Sequence, residues 1–439
     1  MPTSDKPTVL IVGAGLGGLF LGALLEKANV PYTIFERTAV VKPLGSAMTV
    51  GPTLLPIFQQ LGIYDDLVDI GKYMTHVEAF KESLQPYRPV DWRSFEEFAG
   101  YGQYIVTRPK LHELFLKQIP PHKIHFGKRV QTISEDKDSV TIHTTDNGIH
   151  EGDIVVGADG AYSAVRQSMY EQLKAKGVLP ASDLEDLPFS CTCLWAAFTT
   201  AQSSLAYMVY HHLPSQTSKA TEEQRVKDGD DAEWDASPAQ TMCDETRNFQ
   251  IPIDIDGRKM TMGDLYDLTP KELISKVGLE EKVFETWHHG RAVLLGDACH
   301  KLHPNGGQGA VTAIHDAIAL ANLLYAMPSK SLPDITDAFE EYRSERYPAA
   351  NEAFENSQLM SKITDRSFIG AIIFYLYTNM PMWLWRMMLV KLVRFRPQAG
   401  FLRALEVKGS VLPVPSFSEK KARAFFEKHQ QQMAAATSI

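Results

Sequence analysis

The run Val9 to Gly18, VLIVGAGLGG, leaves this chain few folds to choose from. Val9–Val12 is uncharged and β-rich, as a strand buried on both faces must be. Gly13-Ala14-Gly15-Leu16-Gly17-Gly18 then fits G-x-G-x-x-G. Gly17 to Ala28 has helical periodicity, with Leu19, Leu21, Leu24, Leu25 and Ala28 available for one broad face. Tyr32 to Glu36 (YTIFE) is a second short strand. Together they make a β-α-β unit of the usual size, about thirty residues. In such a unit Gly13 permits the tight turn, Gly15 clears space for a pyrophosphate, and Gly18 lets helix and strand approach. The helix N-terminus presents free N–H groups and partial positive charge to the phosphates. Glu36 closes the second strand 21 residues after Gly15. A carboxylate there accepts both hydroxyls of an unphosphorylated ribose, so the chain is expected to bind a dinucleotide. Val9 to Leu25 also has the look of a signal-peptide core. Five glycines (Gly13, Gly15, Gly17, Gly18, Gly22) interrupt it and no clear cleavage site follows, so a strand, turn and helix explain it better.

A length of 439 residues predicts two domains or one large composite domain. The net charge of −9, without a basic block, argues against nucleic acid as a partner. Four cysteines are too few for a disulfide scaffold, and Cys191-x-Cys193 has no second pair at zinc-ligand spacing. No metal site is expected, and a reducing compartment such as the cytoplasm fits best.

Two further segments follow apolar strands. Asp153 to Arg166 (DIVVGADGAYSAVR) is a strand, a turn and a helix start. Arg291 to Leu295 leads into Gly296-Asp297-Ala298-Cys299-His300, then Asn305-Gly306-Gly307-Gln308-Gly309 and a helix, AVTAIHDAIALANLL. Asp297 can accept from a sugar-alcohol hydroxyl, and Gly306, Gly307 and Gly309 let backbone N–H groups approach a planar ring. The helix beginning near Ala310 would direct its positive end at that ring, and Pro304 stiffens the loop. His300 and His303 are expected to be loop histidines hydrogen-bonded to backbone.

With these three motifs in order, the chain resembles the FAD-dependent aromatic hydroxylases, the para-hydroxybenzoate hydroxylase-like flavin monooxygenases, over roughly residues 8 to 325. The run GDACHKLHPNGGQGAVTAIHDA resembles the fungal FAD monooxygenases of secondary metabolism most. The resemblance implies an α/β fold: a Rossmann-like FAD-binding domain, an inserted and mostly antiparallel β-sheet substrate domain, and C-terminal helices. The expected divisions are 1–185, 186–285, 286–365 and 366–439. It further implies that Gly13, Gly15, Gly18 and Glu36 hold the ADP half of FAD. Asp159 belongs to the motif associated with FAD and the reductant. Asp297, Pro304, Gly307, Gly309 and Ala310 belong to the part that holds the ribityl and flavin portion. Arg108, in R-x-x-L, matches a family contact to FAD, and Arg37 directly follows Glu36. Val130 lies where a strand backbone reaches adenine. Ala47, Met48 and Thr49 match a loop beginning at Gly45 and Ser46 that approaches FAD, although that pattern usually has Gly where Thr49 stands. His315 replaces the usual acid before Asp316, and Leu302-His303 replaces the more common pair before Pro304. The subgroup's Tyr-Arg-Cys element reads Cys191-Thr192-Cys193 here, so its Arg role does not carry over.

No second strand-GxGxxG-helix unit follows, so NAD(P)H is expected as a transient reductant beside noncovalent FAD. The implied chemistry is reduction of FAD, addition of O2 at C4a, and transfer of one oxygen atom to a small aromatic or apolar molecule, by hydroxylation or epoxidation. Water must be excluded, or the hydroperoxide decays. A dehydrogenase or oxidase is the second reading. A nonenzymatic prenyl-protein chaperone on the same fold is a third, against which intact FAD motifs argue. Tyr207, Tyr210, His211 and His303, with Trp195, are pocket candidates on or near the substrate sheet. Glu222 to Asp235, with seven acids against two bases, reads as a solvated loop. Residues 367–396 are apolar with basic residues in their second half. Helices packed on the main domain explain them, and weak peripheral contact with a membrane surface is the sharper expectation.

Overall fold

The structure, a computed structural model, describes residues 6–40, 47–78, 80–81, 83–87, 89–199, 204–217, 236–255, 258–271, 274–364 and 368–437. Gly45, Ser46, Ser367 and all of the acidic loop lie outside the described residues, as do the side chains of Trp195 and His211.

The chain opens with β1 (Val9–Val12), α1 (Leu16–Ala28) and β2 (Tyr32–Phe35). Next come β3 (Ala47–Val50), β4 (Tyr104–Thr107), α2 (Arg108–Leu116) and β5 (Ile124–His125). A three-stranded antiparallel meander, β6 (Val130–Glu135), β7 (Val140–Thr144) and β8 (Ile149–Gly152), precedes β9 (Ile154–Gly157) and α3 (Ala164–Ala175). The inserted part contains β10 (Phe189–Thr199), β11 (Ser204–Thr217), α4 (Ala236–Thr246), β12 (Gln250–Ile255), β13 (Arg258–Thr261), α5 (Met262–Leu268) and β14 (Ser275–Glu280). The chain then returns through β15 (His288–His289) and β16 (Ala292–Leu294) to α6 (Gly309–Tyr325) and α7 (Leu332–Thr364). It ends in α8 (Phe368–Thr378), α9 (Met382–Arg394) and α10 (Phe417–Thr437). No helix among the described residues is long and apolar enough to cross a membrane.

The central sheet has the order β15-β16-β9-β1-β2-β5 and is parallel except for the edge strand β15. Its registers decide where function can sit. Leu294 pairs with Gly157, Gly157 with Val12, and Val12 with Phe35, so four parallel strands end in one row. The residues that follow, Leu295, Ala158, Gly13 and Glu36, emerge side by side from the carboxyl edge. Ligands of open α/β sheets bind at that edge.

Helix α1 is buried nearly all round, not on one face as its periodicity suggests, and only Glu26 and Lys27 escape the interior. It lies between the sheet and α6, and a Cβ on Gly17 would stand 2.5 Å from Leu295 Cδ2 and 3.4 Å from Ala313 Cβ. Gly17 therefore sets the approach of the two helices.

In the inserted part, β11-β10-β14 form an antiparallel sheet and β12-β13 a hairpin. Short aromatic runs suggest mostly strand here, but α4 and α5 supply one wall of a second core with Leu194, Tyr207, Met242 and Leu265. The C-terminal region divides. Helix α10 returns to the main core, where Phe425 meets Tyr325 edge-on at 5.5 Å. Asn322 of α6 pins the preceding loop through Gln398 O and Gly400 N, at 2.9 and 2.8 Å.

Candidate active site

The first turn is built around two glycines that tolerate no side chain. Gly13 has φ +103° and its Cβ would lie 2.4 Å from Ala158 O, while a Cβ on Gly18 would lie 2.1 Å from Gly13 O. Gly15 differs, because a Cβ there meets nothing within 4 Å. The Ala14 peptide between them is held at both ends. Its N–H donates to Glu36 Oε2 at 2.8 Å, and its carbonyl accepts from His112 Nε2, also at 2.8 Å. A carbonyl only accepts, so His112 carries its proton on Nε2. Burial lowers the His112 pKa, against the opposing pull of the Ala14 bond. His112 escaped the sequence reading, and its one signal was helical spacing: it stands four residues after Arg108. Glu36 Oε1 accepts from Thr38 N and Oγ1, both at 2.9 Å, which aims the carboxylate into the glycine loop. Lys128 N donates to Glu36 O at 2.8 Å, bringing the start of β6 and Val130 alongside. Arg37 is exposed beside them.

At the second turn Asp159 caps α3. Its Oδ2 accepts from Ala164 N at 2.7 Å and Val165 N at 3.3 Å, and Ser163 Oγ accepts from Arg166 N at 3.0 Å. Asp159 Oδ1 is buried without a partner. Burial raises the carboxyl pKa, against those capping bonds. Arg166 reaches across to the third turn and donates to Ala298 O at 2.7 Å.

The third turn carries Asp297 in a short 3₁₀ segment, Gly296–Ala298, with Lys301 Nζ 2.5 Å from Asp297 Oδ2. Burial pushes the Asp297 carboxyl up, but Lys301, His300 and Arg108 together bring it below the ordinary value. Arg108 is thus close enough for its charge to be felt. Strand β3 is fixed next to it, since Ala47 pairs with Thr107, Met48 with Val106 and Thr49 with Ile105. The turn Pro304–Gly306 leads to Gly307, which has φ +61° and whose Cβ would see only Thr49 Oγ1, at 4.0 Å. A Cβ on Gly309 would see only Asp297 Oδ1, at 3.9 Å. Ala310 lies in the first turn of α6.

Behind this turn lies a charge network that the sequence reading missed. Asp316 Oδ2 accepts from His300 Nε2 at 2.5 Å and Gly296 N at 3.3 Å, while Oδ1 accepts from Arg346 Nε at 2.8 Å. All three side chains are buried. His300 is therefore bound to a carboxylate, not to backbone as expected, because α6 carries Asp316 beneath the loop. Burial raises the Asp316 pKa, but His300 and Arg346 outweigh it and hold the carboxyl at about 2. Cys299, His300 and Asp316 offer ligand atoms within 4.8 Å of one another, yet Arg346 occupies the same carboxylate and opposes a second cation.

His315, next in sequence, points elsewhere. Its Nε2 meets Thr53 O at 3.2 Å, and burial with the nearby Arg346 lowers its pKa to about 3. The folded chain then takes up this proton only near pH 3, while an unfolded histidine does so near 6.5. Stability should fall as pH drops through 6.5 toward 3. We expect His315→Gln to flatten that decline, as read from denaturant midpoints across the interval.

The substrate-sheet candidates separate by strand parity. Tyr207 is buried in the second core, where its OH donates to Thr269 Oγ1 at 3.2 Å, so it faces away from the motif loops. This corrects its place among pocket residues. Tyr210, on the opposite face, packs with Cys193 and Leu279 and stacks on His303 at 5.9 Å and 26°. His303 is buried and its carbonyl accepts from Ser357 Oγ at 2.6 Å. The structure thus joins Tyr210 to the third turn and removes Tyr207. The backbone of His211 pairs with Thr192.

Donors and spaces along the carboxyl edge fit an extended dinucleotide. Helices α1 and α6 start without a side-chain cap or an acid in the first turn, leaving N–H groups for an anionic ligand. Gly15, Gly307 and Gly309 face space that a Cβ would enter, and Asp159 Oδ1 awaits a donor.

Comparison with known proteins agrees. The chain is 30% identical over 426 residues to the FAD-dependent monooxygenase ausM of Emericella nidulans, covering 84% of each chain. It is 29% identical over 368 residues to 6-hydroxynicotinate 3-monooxygenase of Bordetella bronchiseptica, covering 79% of this chain and 89% of that one. The fold matches Klebsiella pneumoniae HpxO complexed with FAD and uric acid, with TM-score 0.64, 19% identity, and coverage of 87% and 92%. The family described as FAD binding domain matches residues 6–357. The chain belongs to that FAD binding domain family, and it is an FAD-dependent monooxygenase.

Proposed function

We propose that this monooxygenase hydroxylates or epoxidises an aromatic or otherwise apolar small molecule, with NAD(P)H as transient reductant. The observation that carries the reading is the stacking of Tyr210, itself packed on Cys193 and Leu279, against the His303 ring beside the third turn. An apolar sheet face closed by a stacked ring excludes water, which oxygen transfer requires. Bound FAD supplies the electron transfer and oxygen activation.

The residues divide the holding of the cofactor. Gly13, Gly15 and Gly18 with Glu36, Arg37 and Val130 take the ADP half. Asp297, Pro304, Gly307, Gly309 and Ala310, with Ala47, Met48, Thr49 and Arg108, take the other half. Asp159 contributes its open oxygen between them. The uncapped start of α6 would favour negative charge on the group held there. The enzyme works in the reducing cytoplasm, in keeping with the buried thiols of Cys243 and Cys299.

We expect Glu36→Ala to weaken FAD binding by about 2 kcal/mol through loss of charge-assisted hydrogen bonds. Asp297→Ala should cost more in turnover at saturating FAD, because Asp297 stands at the reacting half. Product formation under isotopically labelled O2, with apolar aromatic compounds and NAD(P)H, tests the reading. Label in the product supports it. Label only in peroxide or water, with the substrate dehydrogenated, would establish the oxidase reading instead.

A further inference from the structure

We propose that α8 and α9 form a docking surface for an anionic lipid bilayer, on which the protein lies without crossing it. The inference is independent of substrate identity. One face of α9 is already used: Leu389 and Val393 are buried against Phe95 and Phe98, and Trp385 meets Trp92 edge-on at 5.4 Å. The other face is open, with Trp383 67% exposed and Met387 one turn on, interleaved with the exposed Lys391 and Arg394. Helix α8 continues the surface through Ile372, Leu376 and Tyr375, the last 66% exposed. Apolar side chains at a spacing of three to four make a helical stripe, and a stripe facing water is unpartnered.

Charge selects the partner. The 40 residues from Arg366 to Leu405 contain six basic residues and no acid, in a chain of net charge −9. Lys391 and Arg394 lie on α9 itself and are exposed, Arg386 is half-buried there, and Arg396 is buried just beyond it. Arg386 pairs with Glu97 and Lys391 with Glu352, but these are exposed pairs that give way readily. Basic residues flanking exposed Trp, Tyr and aliphatic side chains match an anionic headgroup layer over hydrocarbon. A second copy fits worse, since a two-fold contact would set the same cations against each other. Length rules out a span. Eleven and thirteen residues make helices of only about 16 and 20 Å. A bilayer core is about 30 Å thick.

The test is flotation of the full-length holoenzyme with phosphatidylcholine vesicles, with and without phosphatidylserine, at low and high salt. We expect flotation with the anionic vesicles at low salt and its loss at high salt. Trp383→Glu should weaken it about tenfold, the scale of losing one buried aromatic anchor, while bound FAD and turnover of a dispersed substrate stay unchanged. Absence of flotation at low salt, or equal flotation by Trp383→Glu, overturns the proposal. So does flotation that survives high salt and carbonate, which means deep insertion. A concentration-dependent dimer abolished by Trp383→Glu, with no flotation, assigns the surface to a second copy instead.

Discussion

Replacing Asp316 with alanine should lower folding stability by about 3–5 kcal/mol, the cost of leaving buried charge without its partner. Arg346 and His300 would keep their places in the interior and lose their shared acceptor, and Gly296 N would lose its bond. Asp316→Asn keeps the volume but not the charge, so it should cost nearly as much. Double replacement of Asp316 and Arg346 by apolar residues should cost less than the sum of the single changes, since the stranded charge goes with its partner. Equilibrium denaturation of the wild type, the two Asp316 variants, the Arg346 single variant and the double variant reads this directly. The pH dependence has a fixed sign. The folded carboxyl titrates near 2 and an unfolded one near 3.8, so its contribution is complete above the unfolded value and is lost as pH falls toward 2. His315 acts in the same direction but from 6.5 downward. Acid should therefore loosen this part of the molecule in two stages.

Gly15→Val should leave a folded protein that has lost its cofactor. A Cβ at Gly15 meets no protein atom within 4 Å, so a side chain there would start into open space. It fills the space above the α1 N-terminus where the pyrophosphate must approach. We expect FAD affinity to fall about a hundredfold, close to 3 kcal/mol, with an unchanged denaturation midpoint for the apoprotein. Gly18→Ala should do the opposite in kind. Its Cβ would press to 2.1 Å from Gly13 O, a backbone atom that cannot give way, and destabilise the fold by on the order of 3 kcal/mol. Flavin absorbance after gel filtration, set beside the apoprotein midpoints, separates a residue kept small for the ligand from one kept small for the turn. Loss of the apoprotein fold by Gly15→Val, or retained FAD, would count against this placement of the pyrophosphate.

Local features were legible in the residues themselves. An uncharged β-branched run, a glycine turn and a helix have no other economical arrangement, so β1, α1 and β2 could be read off Val9 to Glu36. The same applies to the turns at Asp159 and Asp297, each following an apolar strand. The order β16-β9-β1-β2, with four strand ends in one row, was not legible, because register is set by how whole strands pair and pack. That row is what turns three separate motifs into one site. Parity was equally hidden. Tyr207 and Tyr210 are three residues apart on one strand, and only the wall supplied by α4 and α5 shows that the first is core and the second faces the motif loops. His112 and Arg346 carry no motif of their own. They acquire roles because α2 passes beneath the first glycine turn and α7 beneath the third. Sequence determined the chemistry of each loop, since backbone freedom and charge are properties of the residues. Tertiary structure alone decided which side chains share a buried space, since burial and partners depend on the packing of elements far apart in the chain.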